Sequence, residues 1–239
     1  MDYRSVVYGK YASKIKKQPK VKEEETALQW VNNYRVYLKG WLPKNKESRI
    51  LDIGCGSGRF LNFLKLSGYE NIEGVDISQE QIELAKNITN KVYAEDCMEF
   101  LKSHENSYDL IVGIDIIEHF NKSEAVEILN LCYKSLKPDG GLIMQTPNAE
   151  SPFGLAVRYG DITHEVIFTP ESISGLLELF EYKDIQCRPA GPIVHGLVSL
   201  CRYIAFKFIW CLIALYNLIE TGDLRSGIYS RVFFIYCKK

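Results

Sequence analysis

The sequence predicts a doubly wound α/β fold: a mostly parallel, seven-stranded sheet with helices on both faces, an antiparallel last strand and an inserted apolar helix. Three observations predict it. Short apolar runs alternate with amphipathic ones from residue 49 onward, the pattern of repeated βα units. The run Leu51–Phe60 passes from an apolar strand into three glycines at alternate positions, Gly54, Gly56 and Gly58, and then into a helix. One βα unit later a second apolar strand ends in a carboxylate, Gly74-Val75-Asp76.

The elements follow in order. Arg49–Ile53 reads as a strand, Gly58–Leu66 as a helix and Ile72–Val75 as a strand. Ser78, with Gln81 three residues on, forms a capping-box pattern that opens a helix to about Asn87. Lys91–Ala94 is a short strand ending at Glu95-Asp96, and Tyr108–Ile114 a continuous apolar strand ending at Asp115. Asn121 with Glu124 starts a helix to about Leu136. Lys137–Gly141 reads as a turn and Leu142–Gln145 as the fifth strand. Thr169-Pro170 caps and starts a helix to about Phe180. Lys183–Cys187 and Arg231–Cys237 read as the last two strands, separated by a long apolar segment. The chain thus divides into a basic segment and lid helix (1–45), a core (46–192) with a long loop at 146–169, an apolar helical insertion (193–228) and a final core strand (229–239).

The length, 239 residues with 46% apolar and 25% charged side chains, suits one α/β domain with insertions. A net charge of -1 gives no global attraction to nucleic acid, so none is expected as a partner. The seven cysteines (55, 97, 132, 187, 201, 211, 237) contain no C-x-x-C pair, which argues against disulfide and zinc frameworks and for a reducing cytoplasm. Met1-Asp2-Tyr3-Arg4 leads into polar residues rather than a signal-peptide core.

Glycines after a strand let the backbone turn sharply and let a bulky ligand lie against the main chain. A carboxylate at the end of the next strand can hold both ribose hydroxyls, so the pair points to an adenosine-containing cofactor. The dinucleotide fingerprint G-x-G-x-x-G wants glycine where Arg59 stands, and Gly58 comes one residue early. The form D-x-G-C-G-x-G, with Asp52 inside the strand, resembles the first motif of class I S-adenosylmethionine (SAM) methyltransferases. From Ile50 to Met144 the order of pieces resembles that family's core: Asp76 and Asp96 ending strands two and three, Tyr108-Asp109-Leu110-Ile111 opening strand four, and Leu136–Gly141 similar to an L-K-P-G-G turn with Asp139 in place of a glycine. The resemblance implies SAM as cofactor and S-adenosylhomocysteine as product. It places Asp76 on the ribose and Asp96 on the adenine amine, within a shell of Asp52, Gly54, Cys55, Gly56, Gly58, Ile77, Cys97 and Asp115.

Acceptor chemistry is expected on the loops after strands four and five. Asp115–Phe120 resembles the family's E-H motif, with Glu118 beside the substrate and His119 available for acid–base work; the alternative is that both line the cofactor pocket or cap the next helix. A loop as long as Thr146–Thr169 inside a compact domain is usually functional. Its T-P-N, G-D-x-T-H-E and F-T-P-x-S pieces resemble methyltransferases of bacterial surface-polysaccharide and glycolipid pathways. That makes His164 the general base or substrate ligand, with Tyr159, Asp161 and Glu165 on the substrate, unless His164 merely pins the loop. His119, Glu118, His164 and Glu165 could together hold a divalent ion, but the H-x-x-H element of the metal-dependent methyltransferases is absent, so no metal is expected.

Between Ile193 and Ile219 the only charged side chains are Arg202 and Lys207. Two cations inside a span argue against crossing a bilayer and for lying in its interface, the alternative being a core or dimerisation helix. Lys10, Lys14, Lys16, Lys17, Lys20 and Lys22 form a basic run that would add affinity for anionic lipid. The expected activity is O-methylation of a sugar hydroxyl in a lipid-linked or surface glycan. Methylation of a membrane-soluble quinone precursor and a non-catalytic, membrane-attached SAM-binding module are the alternatives.

Overall fold

The computed structural model describes residues 23–239 together with Val7, so the lysine run at 10–22 lies outside the described residues. The chain order is α1 (Glu23–Tyr37), β1 (Ile50–Ile53), α2 (Arg59–Leu66), β2 (Ile72–Asp76), α3 (Gln79–Ala85), β3 (Val92–Ala94), α4 (Cys97–Lys102) and β4 (Tyr108–Ile114). A 3-10 turn (Ile117–His119) leads to α5 (Lys122–Ser135), β5 (Leu136–Pro147), α6 (Gly154–Arg158), α7 (Pro170–Leu179), β6 (Lys183–Pro189), α8 (Leu197–Thr221) and β7 (Val232–Lys238).

The seven strands form one sheet in the order β3-β2-β1-β4-β5-β7-β6. Strands β1 to β5 run parallel, and β7 lies antiparallel between β5 and β6. From β1 the chain winds outward to β2 and β3, then returns to place β4 on β1's other side. Such a reversal opens a crevice at the carboxyl ends of β1 and β4, where ligands of open α/β sheets bind. Neighbouring residues of β7 show the two-layer core. Phe233 belongs to the core cluster that holds Phe100, Ile128 and Leu177 of the α4/α5/α7 face, while Phe234, edge-on to Tyr34, belongs to the one that holds Phe63 and Ile82 of the α1/α2/α3 face. Strand side chains alternate faces, so one dipeptide serves both layers.

The turn expected at Lys137–Gly141 lies inside the strand span Leu136–Pro147: Leu136 pairs with Tyr108 and Gly141 with Leu110, so residues 137–140 are out of register with β4, and Asp139 takes a left-handed conformation (φ 62°) there. One expectation is corrected. Ser78 does accept the Gln81 N–H, but Gln81 Oε1 is buried without a partner, so the reciprocal bond of a capping box is missing. The boxes at Asn121/Glu124 and Thr169/Ser172 are complete.

Helix α8 departs most from ordinary packing. Ser199 is its only buried residue, while Leu197, Val198, Ile204, Phe208, Ile209 and Ile219 are exposed. It touches the body through Phe206, stacked close to Gly191, and Trp210, edge-on to Tyr229 at 5.5 Å.

Candidate active site

The glycine loop after β1 is held in shape by its own backbone. Gly54, Gly56 and Gly58 all have φ between 52° and 84°, a region that side chains other than glycine rarely adopt. A Cβ on Gly54 would also sit 2.6 Å from Ile116 Cδ1. Asp76 clamps the loop: its Oδ2 accepts the Gly56 N–H (2.9 Å) and its Oδ1 the Ser78 N–H (2.8 Å). The carboxylate read from sequence as a ribose ligand thus also builds the cradle. Cys55 is buried against Gly74, where an added Cβ would meet Cys55 Sγ at 2.8 Å.

Asp52 carries the clearest sign of a missing ligand. It is 1% exposed, and neither carboxylate oxygen has a hydrogen-bond partner. Burial, and then the nearby Asp76, push its carboxyl well above the usual carboxylate range. A buried, unpaired carboxyl beside a glycine cradle suits a cationic ligand; SAM, with its ammonium and sulfonium, fits that demand. Gln81 Oε1, the other orphaned oxygen, lies 3.8 Å from where a Gly56 Cβ would stand. Tyr34 of α1, the helix expected to cover the cofactor cleft, faces this region. Burial and then Asp115 push its phenol above the ordinary range, with Arg59 and Asp52 also within electrostatic reach. Asp96 caps α4, its Oδ1 accepting the Met98 and Glu99 N–H groups. Ile77 stands exposed beside Asp76, and Cys97 is buried beside Asp96.

A second cleft of about 300 Å³ opens beyond the ends of β4 and β5, lined among others by Asp115, Glu118, His119, Asp161 and His164. Asp115 (φ 53°) accepts a 2.6 Å hydrogen bond from Gln145 Nε2. Glu118, 1% exposed, accepts one from Thr146 Oγ1 at 3.2 Å. The 146–169 loop is no loose excursion. Asn148 closes its base with Nδ2 bonds to the carbonyls of Ile228 and Ser230, and Ala149 N–H bonds Phe168 O. The N–H groups of Glu165 and Val166 both reach Glu118 O (2.7 and 3.2 Å), which fixes the loop's far end against the post-β4 turn.

These bonds assign both imidazoles. His164 Nδ1 lies 3.1 Å from Val157 O, a pure acceptor, so Nδ1 carries the hydrogen. Burial holds this imidazole below its ordinary value, against the opposing influence of Asp161. Thr163, fully buried, donates its single hydroxyl proton to Asp161 Oδ1 (2.6 Å) and so accepts from His119 Nδ1 (2.8 Å). Both rings are thus oriented through a hydrogen bond at Nδ1. The rings stand edge to face, 4.8 Å apart.

The structure thus gathers Glu118, His119, Asp161 and His164, as the sequence predicts, and adds Asp115 to them. It does not gather Tyr159. That side chain is 76% exposed, beside the Arg158 guanidinium and outside the cleft lining, because the short helix α6 turns it outward. Glu165 is tied to the cleft through its backbone, its N–H to Glu118 O and its carbonyl to Arg158 Nη2. Thr163, Gln145, Thr146 and Asn148 were missed as site residues; the T-P-N and D-x-T-H strings are the signals that could have found three of them.

The profile of the methyltransferase domain family matches residues 25–186. Among curated proteins, the chain is 27% identical over 151 residues to a mitochondrial ubiquinone biosynthesis O-methyltransferase of Rattus norvegicus, covering 54% of this chain and 43% of that protein. It is 31% identical over 204 residues to a polyamine aminopropyltransferase of Clostridium botulinum, covering 76% of this chain and 68% of that one. Among solved structures, a SAM-dependent methyltransferase from Archaeoglobus fulgidus superposes with a TM-score of 0.64 at 25% identity, over 90% of this chain and 94% of that one.

Proposed function

This chain belongs to the methyltransferase domain family, and from that premise we propose that it transfers the methyl group of SAM to a hydroxyl of an apolar, membrane-soluble acceptor of the quinone-precursor type. The observation that carries the reading is that His119, His164 and the Glu118 carboxylate gather in one cleft, with one donor atom of each within 4.8 Å of the others, beside a cradle whose buried Asp52 asks for a cation. SAM supplies an already activated methyl on a sulfonium, so the protein's work is alignment and removal of the hydroxyl proton. Asp52, the glycine loop and Asp76 would hold the cofactor, and Asp96 keeps its Oδ2 side for the adenine edge. His164 and His119 act on the acceptor's hydroxyl from the other side.

The ubiquinone-pathway likeness supports an aromatic or quinone-type hydroxyl over the sugar hydroxyl that the loop motifs first suggested. Helix α8 supports a membrane-soluble acceptor. It is long and apolar enough to cross a membrane, and its apolar residues are largely exposed. With Arg202 and Lys207 along it, the helix is read as lying in the interface of a membrane beside which the chain works. A second reading, transfer to an amine, draws on the clostridial relative and on the three carboxylates (Asp115, Glu118, Asp161) in the cleft.

Incubation with methyl-labelled SAM and a panel of phenolic, glycosidic and amine acceptors separates these. Label in an O-methyl product of a phenolic acceptor is the expected result. Label in a sugar would restore the glycan reading, and an amine alkylated only when decarboxylated SAM replaces SAM would favour aminopropyl transfer. His164→Ala is expected to keep SAM binding and lose turnover by roughly 100-fold or more. Intact SAM binding with no turnover on any acceptor would point to a non-catalytic module.

A further inference from the structure

We propose that the pocket between α1, α8 and the residue preceding β7 binds an oxyanion, a carboxylate or phosphate, carried by the acceptor, with Arg202 and Arg231 as its ligands. That the anion belongs to the acceptor rests on the hydroxyl-methylation reading; the oxyanion pocket itself stands without it.

The pocket encloses about 450 Å³, and none of Asp52, Gly54, Gly56 or Asp76 lines it. Its walls are apolar at Ala190, Pro192, Ile193 and Phe206, and its permanently charged side chains are Arg202 and Arg231. No aspartate or glutamate lines it. Among the described residues neither guanidinium makes an ion pair or donates a hydrogen bond, whereas Arg49, Arg158 and Arg188 all donate to oxygens of the chain. Two guanidiniums on one cavity without a counter-charge repel each other, and an oxyanion between them removes that repulsion. The planar fork of a guanidinium matches carboxylate and phosphate oxygens in pairs.

Both arginines are held in place. Ser199, the buried residue of α8, accepts the His195 N–H at Oγ (2.8 Å) and donates to Gly196 O (2.8 Å), which pins the start of the helix. Arg202 and Phe206 follow it at i+3 and i+7, on the same helix face. Phe206 packs on Gly191, where an added Cβ would lie 3.1 Å from its ring. Gly191 O accepts the Tyr37 hydroxyl (2.5 Å), which ties α1 to the same wall. The Arg231 guanidinium lies over the Phe153 ring, 5.2 Å from its centroid, a cation–π contact that holds it without engaging an oxygen.

The pocket adjoins the acceptor cleft. Arg231 lines the one and Val232 the other, together with His164, and consecutive residues stand only about 3.8 Å apart at Cα. With that backbone as a shared wall, one molecule can place its hydroxyl beside His119 and His164 and its oxyanion between the two arginines. The acceptor so described is amphiphilic, an apolar body with one anionic end.

Calorimetric titration of the full chain with phenyl phosphate and with phenylacetate, against uncharged benzyl alcohol, reads the pocket without methyl transfer. One anion per chain is expected, with affinity weakened at least roughly tenfold in Arg202→Gln and in Arg231→Gln, and less in Arg202→Lys. SAM binding certifies the fold of each variant. Turnover is then measured on catechols that bear a carboxylate or phosphate on side chains of increasing length, each against its uncharged amide or alcohol counterpart. The preference for the charged member should fall at least roughly tenfold in both glutamine variants, through KM rather than kcat. No anion binding, or binding equal in all variants, overturns the pocket. Absence of a charged-acceptor preference, or one that both substitutions leave intact, overturns its link to the acceptor while hydroxyl methylation stands. Loss of flotation on phosphatidylglycerol vesicles in both variants, with no soluble anion bound, assigns the pocket to a lipid headgroup and overturns the proposal as well. Variant-sensitive anion binding with no methylation of any hydroxyl supports the pocket and removes the acceptor reading.

Discussion

Asp52 is the residue whose environment conflicts most with its chemistry. A carboxyl left buried and unpaired costs on the order of 1–3 kcal/mol, a cost that the proposed cationic cofactor would relieve. Its pKa is raised in the folded chain, first by burial and then by Asp76. A raised carboxyl favours folding below its unfolded value, and that contribution is lost as pH climbs toward the folded value. Asp52→Asn should therefore stabilise the cofactor-free chain at neutral pH by on the order of 1 kcal/mol, seen as a higher Tm. The same change should weaken SAM binding by roughly tenfold, the loss of one charge-assisted interaction. Because the carboxyl must give up its proton to meet a cation, SAM affinity of the parent should rise with pH by calorimetry, and the variant should lose that dependence. No change in either Kd or its pH dependence would remove Asp52 from the site. Sequence marked Asp52 as part of a motif; that it is unpaired follows only from the strand packed on each side of it, β2 and β4.

At the scale of elements, the 146–169 loop and α8 behave oppositely. The loop read as an open excursion is closed by Asn148, whose Nδ2 serves two carbonyls ahead of β7 and whose Oδ1 accepts the Glu150 N–H. Asn148→Ala leaves those buried carbonyls without donors. It should cost on the order of 2–3 kcal/mol in chemical denaturation and lower turnover, since the loop delivers His164. An unchanged midpoint would mean that the loop holds itself closed. Helix α8, in contrast, has its 25 residues, about 37 Å, lying almost unburied on the body. Phe208, 65% exposed, is expected to insert into lipid. Phe208→Asp should leave the thermal midpoint of the chain within about 1 °C and reduce its flotation with anionic liposomes severalfold. Flotation equal to the parent's would exclude a lipid-facing α8. The apolar run was plain in the sequence. Its isolation was not, because an apolar helix reads the same whether it is buried in a core or bare.

At the scale of the whole molecule, β7 joins what the windings on either side build. Phe233 and Phe234 each fill a different core layer with no exposure. Phe233→Ala should therefore cost about 3–5 kcal/mol and unfold the chain as one unit in calorimetry. A two-step transition would show the layers to be separable. The sequence by itself determined the fold class, the glycine cradle, Asp76, and Glu118, His119, Asp161 and His164 of the second cleft, because those signals are local: periodicity, turn chemistry and short motifs on a contiguous stretch of chain. Only the tertiary structure decided that Tyr159 turns away, that Asp52 lacks a partner, and that Glu118, His119 and His164 converge with each imidazole held at Nδ1. The reason is physical. Partnership and proton position depend on atoms distant in sequence, such as Val157 O against His164 and Thr163 against His119, that only the packed chain brings to hydrogen-bond distance.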